Sequence, residues 1–461
     1  MTSILRTSRL TEQVATYSLG TEFAALPDSV VDCTKRVVLD TLGCIVLGST
    51  IDAGRIMGDY VRAVGGRADA SVVGGGTSAP AAYAALANGT AAHADELDAS
   101  HISWGHPASV AIPMALSMCE TTGAGGKEFI NAVVLAHDFG GRFVQAAGGR
   151  REIQETRHSH SSVLYAVAAA AAAGRLLRLQ PLALHHAMAL AMFNISSPAA
   201  FMDERKHMTK AMAHGQSAFA GVSGALLAAC GFEANDNVLE ARHGLADFWF
   251  ADDSAISEVT AELGKYFSIT DTGFKYYSAG YPIHAPLYNS LKIVEENGLT
   301  VSEIQTITVG MASHAADIVD SRDMPSICIQ DMLSLGVVLG RLSFEDAHDT
   351  EALARPDVRE LRGRIRVERD PELDRVSPPF RGAWVQIQTA DGRHFERPAQ
   401  LAPGHWELGG APWEDVEAKF AQLVEPRLGG QTAARVIELT RDLEQLEDLS
   451  ELGRLLRGAA T

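Results

Sequence analysis

The sequence predicts a mainly α protein with a large all-helical domain, discontinuous in the chain, and a smaller α+β lid domain. Apolar residues recur at helical spacing up to about residue 265, and the same spacing returns after Pro412. Between these regions, apolar and polar residues alternate as they do in strands. We therefore assign residues 1–265 and 401–461 to the helical domain and residues 266–400 to the lid domain.

Three segments of the first domain are typical of helices. Pro27-Asp28-Ser29 matches a helix start signal, and the helical pattern after it runs to Gly48. An alanine run lies at 168–173, and a segment rich in alanine and glycine spans 210–230. Alanine favours helix, and small side chains let helices approach closely. These helices therefore predict a tightly packed interior or a dimer seam.

The lid domain is predicted to mix strands with helix. The alternating segments lie at 306–311, 364–368, 384–388 and 393–395. The last two form a predicted hairpin that turns near Asp391-Gly392. A helical pattern at 330–342 lies between the strands.

The charge balance argues against some classes of partner. The chain carries 39 basic and 57 acidic residues, a formal net charge of −18, which disfavours nucleic acid or an anionic membrane as partner. An anionic substrate remains compatible, because a pocket can be locally basic. No apolar run reaches the length of a membrane span, and the first 30 residues lack the apolar core of a signal peptide.

The five cysteines are widely spaced and form no CxxC motif. Their odd number and spacing predict reduced thiols in a cytoplasmic protein. Zinc binding through cysteine is not expected.

The segment from Ala87 to Ser109 has the composition of an acid–base site. It holds three histidines and three carboxylates among small residues. Such groups are what general acid–base chemistry on a small polar substrate requires. Glu96, Asp98 and His106 could act as base, orienting group and acid. The alternative is a solvated loop whose carboxylates cap helices.

His93 is expected to hold this loop by hydrogen bonds. A metal could draw ligands from histidines and carboxylates here, but no metal site is predicted.

Segments spread over nearly the whole chain resemble the MmgE/PrpD family. The segments that carry the resemblance are Val38–Cys44, Asn88–His93, His106–Ser109, Lys275 with His284, Arg355–Val358, Asp370–Leu373 and Trp413–Phe420. The family includes 2-methylcitrate dehydratase, cis-aconitate decarboxylase and iminodisuccinate epimerase. The resemblance implies a helical domain with an α+β lid, a homodimer and no required cofactor.

The chain also departs from the family pattern at positions that touch substrate contacts. Glu96 stands where the family usually has Asp, and Ser100 where it has Thr. Gln330-Asp331 stands where a tyrosine is common, and the register of the lysine near Lys206 and Lys210 is ambiguous. The resemblance therefore implies the type of reaction more firmly than the substrate.

Two further segments are expected to line the site. The family has a histidine at the start of the alanine-rich helix, where His158 and His160 compete and we favour His160. Free amides at a helix start attract anions, although a polar helix cap with exposed histidines is the alternative.

Positive charge for substrate carboxylates would come from a basic cluster. Arg205 and Lys206, with Lys210, could supply it in the first domain. Lys275 and His284 could close the pocket from the lid side. The alternatives are a surface basic cluster for the first group and a surface turn for the second.

We therefore expect an enzyme that removes a proton next to a carboxylate on a small di- or tricarboxylic acid. Glu96 or His160 would be the base and His106 the acid, while the cations stabilise the enolate-like intermediate. A 2-methylcitrate dehydratase-like lyase is favoured, with an iminodisuccinate-type epimerase as runner-up. A cis-aconitate decarboxylase is a further alternative, against which the tyrosine and lysine departures count. The alternative of another class is a non-catalytic carboxylate-binding dimer.

Overall fold

The computed structural model describes residues 9–103, 105–204, 206–252, 254–376 and 381–458. Its helices are α1 Leu10–Gly20, α2 Asp28–Gly48, α3 Asp52–Val64, α4 Ala81–Ala92, α5 Ala108–Thr122, α6 Gly126–Ala146, α7 Gly149–Thr156, α8 Ser162–Leu176, α9 Pro181–Phe193, α10 Met208–Ala229, α11 Leu245–Trp249, α12 Ala255–Thr260, α13 His284–Asn297, α14 Ser313–Val319, α15 Ile329–Leu339, α16 Phe344–His348, α17 Thr350–Ala354, α18 Pro356–Arg362, α19 Pro371–Asp374, α20 Trp413–Leu428, α21 Gly430–Arg441 and α22 Ser450–Arg457. The predicted helix after Pro27 is confirmed, because α2 begins at Asp28 and ends at Gly48. The alanine run lies inside α8, as predicted.

The strands are β1 Ala70–Val72, β2 Thr77–Ala79, β3 Ser100–His101, β4 Thr272–Gly273, β5 Ile304–Met311, β6 Ile365–Arg369, β7 Ala383–Thr389 and β8 His394–Gln400. The last four form one sheet in the order β6-β5-β7-β8. Strands β5 and β6 are parallel, and the other two pairings are antiparallel. The predicted strands and the hairpin between β7 and β8 are therefore confirmed. Alternate residues of β5 (Ile307, Val309 and Met311) are buried in the apolar core of this sheet.

The chain forms two compact units that divide at residues 273/274 and 411/412. The first unit holds the helices up to α12 together with α20 to α22, and the second holds the four-stranded sheet with α13 to α19. The predicted fold class, mainly α with a smaller α+β part, is confirmed.

Helix α10 lies at the centre of the first unit, where it packs against α4, α5, α8 and α9. Small residues make this packing close. A Cβ atom on Gly215 of α10 would lie 2.3 Å from both the Leu86 carbonyl oxygen and the Thr90 Oγ1 of α4. The absence of a side chain at Gly215 therefore lets the two helix backbones approach, next to the residues that form the candidate site.

Among the described residues, no single helix is long and apolar enough to cross a membrane. Helices α2 and α3 are long and apolar enough only when taken together, and the two helices are bent by 80° relative to each other.

Gly215→Ala is expected to destabilise the fold, because the added methyl group meets backbone and side-chain atoms of α4. We expect a loss of about 1–3 kcal/mol in the free energy of unfolding, measured by chemical denaturation. Gly58→Ala in α3 is the matched control, since a Cβ atom there meets nothing within 4 Å. It should raise the free energy of unfolding by about 0.5–1 kcal/mol. Equal effects of the two substitutions would contradict the packing argument.

Candidate active site

The loop between α4 and α5 carries the acidic residues and histidines singled out in the sequence. His93 follows the last residue of α4, and Ser109 lies in the first turn of α5. Between them, β3 pairs with β4 in an antiparallel bridge, so that Ser100 faces Gly273. The backbone N–H of His101 also donates to the Gly105 carbonyl oxygen at 3.0 Å. The loop is therefore folded against the helical unit, and the reading as a solvated loop is wrong.

Asp98 is fully buried at the centre of this loop. Its Oδ1 lies 2.9 Å from His93 Nδ1, and its Oδ2 lies 3.1 Å from His106 Nδ1. The hydroxyl of Ser109 donates to Oδ2 as well. Burial raises the pKa of the Asp98 carboxyl, but His106 and His93 outweigh burial and hold that pKa well below its usual range. Asp98 is therefore a buried carboxylate whose charge is met by three donors.

His93 has the hydrogen-bonding role expected from the sequence. Its Nδ1–H donates to Asp98, and burial lowers the pKa of the His93 imidazole to about 4 although Asp98 acts in the opposite direction.

The bonds of His106 define its tautomer. Its Nδ1 lies 2.9 Å from the Ala99 carbonyl oxygen, in addition to Asp98. Because carbonyl and carboxylate oxygens only accept, Nδ1 carries the proton. Neutral His106 therefore carries no proton on Nε2.

His160 has the opposite tautomer. The backbone N–H of Ser162 donates to His160 Nδ1 at 3.2 Å, so Nδ1 is an acceptor and the neutral ring carries its proton on Nε2. Burial, with the charges of Arg150 and Lys210, lowers the pKa of His160 well below its usual range. Neutral His160 therefore carries its ring proton on Nε2, whereas neutral His106 carries its ring proton on Nδ1.

A further histidine, His214 of α10, lies among these rings. Its ring centroid is 4.1 Å from that of His93, 5.1 Å from that of His160 and 5.9 Å from that of His106. Its Nδ1 lies 3.2 Å from the Lys210 carbonyl oxygen. Burial, with His93 and His160 beside it, lowers the pKa of His214 well below its usual range.

Glu96 lies next to a lysine and a histidine. Its Oε1 lies 2.6 Å from Lys210 Nζ and 3.5 Å from His207 Nδ1. Burial lowers the pKa of Arg150, and the charge of Glu96 opposes that effect. Glu96 and His207 both have left-handed backbones, with φ of 57° and 45°. Strain of this kind in non-glycine residues is characteristic of functional sites.

His93, Asp98 and His106 also have the spacing of a metal site, since one ligand atom from each lies within 4.8 Å of the others. Their hydrogen bonds account for this arrangement, because the Nδ1–H groups of both histidines point at the Asp98 carboxylate.

Two sequence models of known domains match this chain. The MmgE/PrpD N-terminal domain matches residues 12–257, and the MmgE/PrpD C-terminal domain matches residues 277–445. The chain belongs to the MmgE/PrpD family. Among its relatives, the cis-aconitate decarboxylase of Homo sapiens is 26% identical over 466 residues, which cover 97% of this chain and 95% of that protein. The cis-aconitate decarboxylase of Mus musculus is 25% identical, over 97% of this chain and 93% of that protein. The cis-aconitate decarboxylase of Aspergillus terreus (strain NIH 2624 / FGSC A1156) is 24% identical, over 97% and 96% respectively.

In this MmgE/PrpD protein, the candidates from the sequence have different surroundings. Glu96, Ser100, His106 and His160 lie in or beside the buried cluster of the first unit, and Ser100 is buried in β3. The side chain of His158 is exposed. Lys206 is exposed and paired with Asp52 at 3.0 Å. Arg205 lies outside the described residues.

Two candidates belong to the second unit. Lys275 and His284 are both buried there, so the reading as a surface turn is wrong. His284 Nε2 lies 3.2 Å from the Ala279 carbonyl oxygen, and its ring packs against those of Tyr277 and Tyr281. The role of Lys275 and His284 in substrate binding stays a prediction.

The site also contains residues that the sequence argument did not select. His214 follows Lys210 by four residues in α10, a spacing that places both on one face of the helix. That periodicity is a signal that could have found His214. Arg150 of α7 had no such signal, because only the tertiary fold brings its charge near Glu96 and His160.

The buried histidines predict that stability falls in mild acid. His101 Nε2 lies 3.0 Å from the Ser268 carbonyl oxygen, and its Nδ1 accepts the Ser103 backbone N–H at 3.2 Å, so a second ring proton would displace the bond at Nδ1. Burial lowers the pKa of His101 to about 4, below the ordinary value of 6.5. The unfolded chain therefore binds protons that the folded chain does not, and stability is lost as the pH falls from 6.5 toward 4. His101 alone should contribute a loss of about 2 kcal/mol at pH 5.

Denaturant titrations from pH 7 to pH 5 measure this loss. Between pH 7 and pH 5, the His101→Gln variant should lose about 2 kcal/mol less in its free energy of unfolding than the unsubstituted protein loses. His243→Gln removes an exposed histidine and serves as the control. The idea fails if both variants keep the slope of the unsubstituted protein.

Proposed function

We propose that this protein is a lyase that acts on a small di- or tricarboxylic acid, and that it decarboxylates an unsaturated acid resembling cis-aconitate. The observation that carries the proposal is the buried Asp98 carboxylate bonded to the Nδ1 atom of His106. A carboxylate in that position stabilises the imidazolium form of the ring, so that His106 can hold a proton at Nε2 and deliver it to substrate. The cis-aconitate decarboxylases related to this chain over nearly its full length support the substrate class.

The cations around Glu96 suit an anionic substrate. Lys210 is buried and Arg150 acts electrostatically on both Glu96 and His160, so the site is locally basic within a chain of net charge −18. The Nε2–H of His160 adds a neutral donor for a substrate carboxylate. Together these groups would neutralise the substrate charge and the charge that develops during the reaction.

The proposed step adds one proton and releases one CO₂. Protonated His106 delivers its Nε2 proton to one carbon of the substrate double bond. The bond between the leaving carboxylate and its carbon then breaks, and its electron pair forms the shifted double bond. The product is a dicarboxylate with one carbon fewer, and a proton from solvent restores His106.

The position of Lys210 is compatible with decarboxylation as well as with the dehydration expected from the sequence. The uncertain register of the lysine had counted against a decarboxylase, but Lys210 is buried and bonded to Glu96. The replacement of tyrosine by Gln330-Asp331 remains a departure from the family. In the second unit, Gln330 bonds Asp320 and Asp331 pairs with Arg362.

The reaction is tested by supplying cis-aconitate to the purified protein in deuterated water. We expect that CO₂ is released and that one deuterium is incorporated into the carbon skeleton of the product. Gas analysis measures the CO₂, and NMR measures the deuterium. Loss of water from a citrate-like acid without CO₂ would instead show a dehydratase. Deuterium exchange in iminodisuccinate with the skeleton intact would show an epimerase. Binding of these acids without any turnover would show a carboxylate-binding protein.

His106→Ala should lower kcat about 10²–10⁴-fold, because the proton donor is lost. The measurement is steady-state turnover of the acid that the previous experiment identifies. Retention of turnover within a few-fold of the unsubstituted enzyme would remove His106 from its proposed role.

A matched pair of substitutions decides between the two histidines before α8. His160→Asn removes the buried donor and should lower kcat/KM about 10–100-fold. His158→Asn changes an exposed residue whose backbone is left-handed, with φ of 52°, which asparagine tolerates. It should leave kcat/KM within about twofold. The opposite ranking would assign the role to His158.

A further inference from the structure

A buried ion pair lies beneath the loop that carries the candidate site. Lys419 Nζ of α20 is 2.6 Å from Asp40 Oδ1 of α2. The side chain of Asp40 is fully buried, and that of Lys419 is 13% exposed. Both residues belong to segments that carry the family resemblance, Val38–Cys44 and Trp413–Phe420, for which the proposed reaction gives no role.

Lys419 makes a second contact that reaches the site itself. Its Nζ donates to the Leu97 carbonyl oxygen at 3.0 Å. Leu97 lies between Glu96, which pairs with Lys210, and Asp98, which orients His106. The ammonium group therefore holds the peptide group between Leu97 and Asp98, next to Glu96.

This peptide group needs an anchor. Glu96 has φ of 57°, a left-handed conformation that costs a non-glycine residue on the order of 1–3 kcal/mol and persists only where its surroundings enforce it. The bond from Lys419 is a contact to the very next residue, and it comes from a helix more than 300 positions away in the chain.

Burial and the partner's charge act in opposite directions on both members of the pair: burial raises the pKa of the Asp40 carboxyl, and the charge of Lys419 opposes that effect. Burial lowers the pKa of Lys419, but the Asp40 carboxylate more than offsets burial and leaves that pKa raised. Buried ion pairs often add little net stability, because desolvation costs about as much as the attraction returns. Its contact with Leu97 gives this pair a use other than stability.

We propose that Asp40 and Lys419 are positioning residues: Asp40 holds the Lys419 ammonium group, which fixes Leu97 and thereby sets the placement of Glu96 and Asp98. The expected effect of this ion pair on turnover rests on the proposed function, whereas its expected effect on the order of the loop does not.

The test compares two ion pairs that join α2 to the C-terminal part of the chain. Lys419→Met and the neutral double variant Asp40→Asn/Lys419→Met remove the anchor, and the double variant leaves no unpaired buried charge. Lys35→Met and Lys35→Met/Glu444→Gln are the matched controls, since Lys35 pairs with Glu444 at 2.9 Å. The readouts are kcat and KM, Tm, and hydrogen exchange of peptides that cover residues 94–103.

We expect both Lys419 variants to lose about 10–100-fold in kcat, because acid–base groups displaced by about an ångström lose that much. KM should change by less than kcat, and exchange in 94–103 should become faster. The Lys35 variants should lose about as much Tm as the Lys419 variants. Their kcat should nevertheless stay within about twofold of that of the unsubstituted protein, and hydrogen exchange in 94–103 should be unchanged. Should Lys419→Met fail to fold, the neutral double variant decides.

Two results would overturn the proposal: turnover of the Asp40→Asn/Lys419→Met variant equal to that of its control, or loop exchange equal to that of the unsubstituted protein. If the unsubstituted protein turns over none of the acids tested, the proposed function fails by itself. The exchange comparison then decides on the anchor alone, with faster loop exchange only in the Lys419 variants as support.

Discussion

The burial of one carboxylate, Asp98, constrains the candidate site more than any other interaction. A carboxylate without water is stable only if donors replace its hydration. Here His93, His106 and Ser109 supply them, from the end of α4, from the loop and from the start of α5. The same bonds fix the proton of each imidazole on Nδ1. The requirement to satisfy a buried charge therefore also sets the tautomer of the His106 ring.

Close helix packing delivers the remaining groups to this carboxylate. Helix α10 approaches α4 where Gly215 has no side chain, and the ring of the preceding residue, His214, lies 4.1 Å from that of His93. Lys210 lies one turn earlier on α10 and reaches Glu96. Small residues in these helices are thus a condition for the site as well as for the core. The alternative use of such helices, as a dimer seam, stays a prediction.

The surroundings of Glu96 bear on the choice between reactions that the sequence left open. A site for dehydration and a site for decarboxylation both need an acid and a carboxylate-binding cation. The sequence could not say which lysine supplied the cation, because a run of polar residues precedes α10. Lys210 is the lysine that pairs with Glu96, at one of the two departures from the family pattern that bear on a decarboxylase. The other, at Gln330-Asp331, remains.

The sequence by itself determined the fold class, the helices α2, α8 and α10, the four strands of the second unit and the family, because these follow from local periodicity and from motifs in order along the chain. It also located Glu96 and His106, since both lie in one dense motif. Only the tertiary structure decided that His160 is buried while His158 is exposed, although two positions separate them. It alone placed His214 and Arg150 near the loop and joined Asp40 to Lys419 beneath it. Periodicity indicates which face of a helix is apolar. The partner of a polar side chain depends instead on which helices meet, and the packing of residues hundreds of positions apart decides which helices meet.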